Sequence, residues 1–298
     1  MRTRRLPSIA LGTGILLWAT AAAAVPLVTS VGGSNPASIQ ASVDAFRSSL
    51  GALNPNVGGS FGAGRREINW DGVPDGFAAP NSFPANFFNV NSPRGVVFST
   101  PGTGFQVSAN AGLLTPVEFG NIDATYPGIF STFSPQRLFA SLGSNVLDVT
   151  FFVPGSATPA FTRGFGAVFT DVDLANTTSL QFFGVDGSLL FTEFVPPGTI
   201  ASESLSFLGV SFTEGNIVSR VRITSGNSAL GLPEAGGRDL VVLDDFIYGE
   251  PNSAPSPIPP TLPIPTLSEW GHIGMLVLLV LGGLLALRRR SGLAPRQT

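Results

Sequence analysis

The chain has 298 residues, 43% of them hydrophobic, with 36 Gly, 25 Pro and no Cys, so a packed core is within reach while disulfides, thiolate zinc sites and cysteine nucleophiles are excluded. All 16 cationic residues are Arg, which also removes lysine Schiff-base chemistry. Residues 25–263 hold nine Arg against 18 acids, a net of −9 that the overall −3 conceals and that argues against nucleic-acid binding.

The N-terminus reads as an address. Met1-Arg2-Thr3-Arg4-Arg5 is a positive start, Ile9 to Ala21 is apolar, and Ala22-Ala23-Ala24 places small side chains at −3 and −1. That order predicts a secretory signal peptide over 1–24, cut by signal peptidase before Val25.

The exported part, 25–250, opens with one short helix. Ile39, Val43, Phe46 and Leu50 recur at helical spacing and Gly51 stops the run. Residues 51–94 are rich in Gly, Pro and Asn and read as loops with little regular structure. Trp70 falls there, and a large aromatic in such a stretch reads as a buried loop anchor. From Gly95 the pattern changes to short strands at 95–100, 104–109, 146–153, 165–171, 178–185, 188–195, 204–213, 217–224 and 239–248. Asp186-Gly187 predicts a two-residue hairpin turn, and Arg220 and Arg222 alternating with Val221 and Ile223 predict a strand with one wet face. Many short strands with Gly/Pro turns point to an all-β, jelly-roll-like β-sandwich. The doublets Phe87-Phe88, Phe151-Phe152 and Phe182-Phe183 read as core, with a sugar-stacking face as the sharper alternative.

The chemistry open to this domain is narrow. The single His272 lies outside it, so a Ser-His-Asp triad and a His-bound zinc are unavailable. A glycosidase would need two carboxyls at a fixed separation, and no acid sits in a diagnostic motif. Calcium, which takes carboxylate oxygens from loops, is the better inorganic candidate. The residues that could hold a structural Ca²⁺ are Asp71 and Asp75, Asp171 and Asp173, and Asp244 and Asp245. Each has a plainer reading: Asp-Gly favours turns, and backbone N–H groups or Arg can serve as partners. In a regular strand Asp244 and Asp245 face opposite sides, both with apolar neighbours, so at least one is expected to be partly buried and to tie the final strand to a neighbouring loop, with the outward position tolerating Asn.

The C-terminus carries a second address. A Pro-rich linker spans 251–263. Ile264, Pro265, Thr266, Leu267, Trp270 and Gly271 follow, then an apolar run that predicts a transmembrane helix over about 270–287, then Arg288, Arg289 and Arg290 as a cytoplasmic anchor. The 264–298 segment resembles the IPTL-CTERM sorting signal at every fixed position of I-P-T-L-x-x-W-G. The resemblance implies recognition by an exosortase-type membrane transpeptidase and transfer to the cell envelope. The exported domain is also similar to uncharacterised secreted β-sandwich domains that accompany such tails, through Arg66-Glu67-Ile68-Asn69-Trp70-Asp71-Gly72-Val73 and Leu243-Asp244-Asp245-Phe246. The expectation is a non-enzymatic envelope or extracellular-matrix protein; the alternatives are a carbohydrate-binding surface module with a glycan partner and, third, a carboxylate-dependent glycosidase.

Overall fold

The computed structural model describes residues 25–255 and 267–291. The expected signal peptide, most of the linker, and Ile264, Pro265 and Thr266 lie outside the described residues, as do the side chains of Leu267, Trp270 and Arg288 to Arg290.

The chain enters through β1 (Pro26–Gly33) and turns into helix α1 (Pro36–Leu50). Asn35 caps α1 by accepting from the Ser38 N–H at 3.1 Å, and the Asn35 N–H donates back to the Ser38 hydroxyl at 3.2 Å. Gly51, at φ 103°, ends it. The predicted stripe Ile39, Val43, Phe46 and Leu50 is buried. Next come β2 (Arg65–Ile68), a 3₁₀ turn at Asp75–Phe77 and the single-turn helix α2 (Phe87–Val90). The strands β3 (Val96–Ser99), β4 (Gly104–Val107), β5 (Phe139–Leu142), β6 (Val146–Phe151), β7 (Gly164–Thr170) and β8 (Ser179–Phe183) follow. The domain ends with β9 (Leu189–Phe194), β10 (Leu205–Phe212), β11 (Arg220–Thr224) and β12 (Val242–Gly249).

These strands form a β-sandwich of two antiparallel sheets. One runs β1-β10-β7-β12-β5-β4, with β2 also paired to β12; the other runs β3-β6-β11-β8-β9. From β5 onward the chain crosses repeatedly between them, so β10-β7-β12-β5 belongs to one sheet and β6-β11-β8-β9 to the other. Their inner faces share one core, where Phe182 meets Phe212, Phe151 meets Phe165, and Phe98 meets Phe139. On the opposite face of the first sheet, α1 packs with Val168, Leu205, Phe207 and Ile247. Covered on both faces, β7, β10 and β12 are buried along their whole length. Gly166 and Gly209 are cross-strand partners beneath α1, and a Cβ on either would lie 2.8 Å or 2.7 Å from the Phe46 ring. The two glycines leave the notch into which that ring fits.

The 51–94 stretch is mostly loop, as expected, with two short elements. It holds β2 and α2, because β2 gains its strand geometry by pairing with β12, a partner far away in sequence. Arg66 of β2 is fully buried with Glu250, the two joined at 2.7 and 2.9 Å, and its remaining N–H groups donate to the carbonyls of Pro55, Val57, Gly59 and Pro93. The loop before β2 is thus wrapped around one guanidinium. Two residues after Glu250, Asn252 exchanges two backbone hydrogen bonds with Phe161. The β8–β9 hairpin is present, but its loop spans 184–188, since Phe183 pairs with Leu189 across a bulge. Gly187 supplies the positive φ of 79° and Asp186 accepts from the Ser188 N–H.

The second compact unit contains helix α3 (Leu267–Ser291). Among the described residues no helix is long and apolar enough to cross a membrane. The expected span, 270–287, reaches beyond 271–285, the stretch of α3 whose side chains are described and exposed.

Trp70 is fully buried in the sandwich core. It stacks on Phe139 with ring centroids 4.0 Å apart and 8° between planes, and meets Phe83, Phe88 and Phe246 edge-on. Its indole N–H donates to the Asp244 carbonyl at 2.8 Å. Trp70→Ala should therefore cost about 3–5 kcal/mol, read as a lower urea midpoint at unchanged m-value. An unchanged midpoint would mean the ring is not packed in solution.

Candidate metal centre

At the end of β7 the chain leaves the sheet as Asp171-Val172-Asp173. Val172 turns into the core, and Asp171, at φ 68°, donates its N–H to the Ser204 carbonyl at 3.0 Å. Asp171 is fully buried, and among the described residues neither carboxylate oxygen accepts from an N–H or hydroxyl group; its side-chain neighbour of hydrogen-bonding kind is the Glu234 carboxyl. Asp173 and Glu234 are half-buried, Glu234 coming from the long β11–β12 loop. Each of Asp171, Asp173 and Glu234 offers a carboxylate oxygen, and these oxygens lie within 4.8 Å of one another.

The surroundings hold this arrangement in place. Buried Asp239 accepts from the Asp173 N–H at 3.0 Å and from the Thr177 hydroxyl, while Glu234 accepts from the Leu240 N–H at 3.1 Å. Among the described residues no guanidinium forms an ion pair with the three carboxylates. Burial, with the charges of Glu234, Asp173 and Asp239, pushes the Asp171 carboxyl up to about 9. Burial, with Glu234 and Asp239, pushes Asp173 up to about 6. Clustered carboxyls of this kind hold either protons or a cation.

The other candidates have protein partners. Asp71 accepts from the backbone N–H groups of Gln136 and Arg137, at 2.6 and 3.1 Å. Asp75 pairs with the Arg137 guanidinium and accepts from the Asn110 side chain at 3.0 Å. Both carboxylates tie down the 134–137 segment. Asp244 and Asp245 are both buried and both reach the 133–134 loop, so the expected buried carboxylate is present and the expected outward one is not. The β12–β7 register shifts between Leu243 and Phe246, so a bulge breaks the period of two and brings both side chains to Ser134. Asp244 accepts from the Phe133 N–H at 2.6 Å, and Asp245 meets the Arg47 guanidinium at 3.1 Å. The sequence reading missed Glu234: it lies in a Pro/Gly loop some 60 residues from Asp171 with no local motif.

Neither main cleft brings a free carboxylate pair to its surface. One, of about 640 Å³, contains Glu250, which is bound to Arg66; the other, of about 490 Å³, contains Glu67 and Asp245, both bound to Arg47. On the solvent side of the second sheet Arg220 covers the Phe183 ring at 3.7 Å, and Arg220 and Arg222 both pair with Asp148. The exposed Phe residues among those described, Phe61 and Phe194, sit on a loop and at the end of β9, so they form no row.

No family model matches the chain, and no curated protein does. A solved structure that does match is a glycoside hydrolase family 43 arabinoxylan arabinofuranohydrolase from Bacillus subtilis, crystallised with cellotetraose. Identity is 16% over 53% of this chain and 27% of that one, with a TM-score of 0.27. At that level the likeness carries no functional argument, and this chain spans about a quarter of that protein.

Burial and the neighbouring Asp245 charge hold the Asp244 carboxyl well above the usual carboxylate range. The folded state therefore keeps a proton that the unfolded chain releases near pH 3.9, so this group's contribution falls as pH rises above about 4. Asp244→Asn mimics the protonated form and should flatten the decline in urea midpoint between pH 4 and 7. Asp245→Asn, which loses a charged partner of Arg47, should cost about 1.5–3 kcal/mol at pH 7. A steeper decline in the Asp244 variant would show that the carboxyl is ionised in the fold.

Proposed function

We propose that the chain is an exported, non-enzymatic envelope or matrix protein, delivered by its N-terminal signal and processed through its C-terminal sorting tail. The observation that carries this reading is the tail itself: Ile264 to Gly271, the apolar run behind it and Arg288 to Arg290 in the order an IPTL-CTERM signal requires. Residues 270–287, helical at 1.5 Å per residue, measure about 27 Å, close to a bilayer core. The span assigned here extends past the described side chains on both sides.

The domain's own start supports the signal-peptide half. β1 begins at Pro26, and the Val25 N–H lies 3.0 Å from both carboxylate oxygens of Glu214. Cleavage before Val25 would replace that amide with an α-ammonium, converting the contact into an ion pair. The strand order β10-β7-β12-β5 with β6-β11-β8-β9 supports the jelly-roll reading, two interlocked Greek keys. The ion-paired acids of the two clefts support a non-enzymatic role over hydrolysis.

Mass spectrometry of the surface-located protein should find Val25 as the N-terminus and no peptide beyond the apolar helix. Recovery of intact Arg288–Thr298 on most surface molecules would sink the sorting half and leave a plain membrane anchor. With Val25 free, Glu214→Gln should lower stability by up to about 1 kcal/mol, an effect that added salt weakens in the parent protein.

A further inference from the structure

We infer that Asp171, Asp173 and Glu234 form a binding site for a calcium-type divalent cation, which ties the β7–β8 loop to the β11–β12 loop. The first observation is geometric: three carboxylates from two loops offer oxygens within 4.8 Å of one another. The second is independent of that clustering. Asp171 is fully buried with neither oxygen receiving an N–H or hydroxyl, in a protein whose other buried Asp244, Asp245 and Asp239 all do. A buried carboxylate with no donor is destabilising until something positive reaches it. The third is the frame: Asp239 fixes the Asp173 backbone and Thr177, and the Leu240 N–H holds one Glu234 oxygen, so the ligands are positioned with their other oxygens left open. Asp239 acts here as a positioning residue.

The ligand chemistry selects the ion. Three carboxylates can supply up to six oxygens, and water can complete the six to eight that calcium takes. Magnesium asks for a smaller, near-octahedral set and parts with its waters reluctantly. Zinc prefers Cys and His; the chain has no Cys, and its single His lies in α3. The competing occupant is the proton, since carboxyls can also meet by sharing one. The inference stands apart from the export reading, because it concerns the folded domain whatever its address.

The test uses the full chain stripped with EDTA. Isothermal titration with CaCl₂ should show one ion bound per chain, and thermal unfolding should move upward in millimolar Ca²⁺. At a hundredfold excess over Kd the linkage gain is about 2.7 kcal/mol. Asp171→Asn and Glu234→Gln should each weaken binding at least tenfold. Asp171→Asn should also raise the melting temperature in EDTA, since the amide neither buries a charge nor has to keep a proton that the unfolded chain releases; a carboxylate with a purely structural role would lower it. Asp186→Asn, in the β8–β9 turn, should leave binding unchanged. If Asp171→Asn does not fold, Glu234→Gln alone reads the affinity. Absence of binding with superimposable melts in EDTA and Ca²⁺ would overturn the site in favour of shared protons. So would an equal rise in NaCl at matched ionic strength, which would reduce the effect to screening.

Discussion

Trp70 sits where the N-terminal third of the domain is fastened to the sandwich. Its ring is stacked on Phe139 of β5 and touched by Phe83 and Phe88 from the loop region and Phe246 from β12, while its N–H reaches the Asp244 carbonyl. That carbonyl lies in the β12 bulge, where register with β7 shifts and a ladder partner is lost. One side chain therefore fills the core and satisfies a backbone acceptor that the bulge leaves open. The bulge in turn brings Asp244 and Asp245 to Ser134, and Asp71, next to Trp70, holds the Gln136 and Arg137 N–H groups. The 133–137 segment is thus held from two sides by acids whose positions follow from the Trp70 anchor.

The domain's excess of acid is distributed by a consistent logic. Glu250, Asp245, Glu67, Asp75 and Asp148 meet Arg; Asp71, Asp244 and Asp239 meet backbone N–H groups. Arg suits the first role because its planar fork serves several acceptors at once, as Arg66 does for Glu250 and four carbonyls. Lysine, with three donors, could not satisfy that set. Asp171 stands outside both solutions.

The sequence was most legible where alternation and burial coincide. The strands from β6 to β12 fall within a few residues of their expected places, and α1 carries the four apolar residues that its spacing marked. β1, β2 and β5 escaped for different reasons. β1 lies at a sheet edge with several residues exposed, so it shows weak alternation. β2 and β5 have four residues each, and their geometry comes from β12 and β4. At the site, Asp171 and Asp173 were visible as a pair, but Glu234 is brought in only by the path of the β11–β12 loop. A buried carboxylate at 244–245 was legible, while its expected outward neighbour was not, because that part assumed an unbroken strand. A bulge is a relation between two strands, and a single sequence does not display it.

The position of β12 has a mechanical consequence. A pull on the linker beyond Pro251 reaches the domain through Asn252 and its paired bonds to Phe161, then runs into β12. That strand is not an edge: β7 lies on one side, with β5 and β2 on the other. Tension along it loads the ladders in shear, so several hydrogen bonds must yield together instead of opening one at a time. The buried Arg66–Glu250 pair sits at the point of entry, fastening the strand's end to β2 before any ladder is strained. Pulled from its C-terminus, the domain would resist being unzipped from that end.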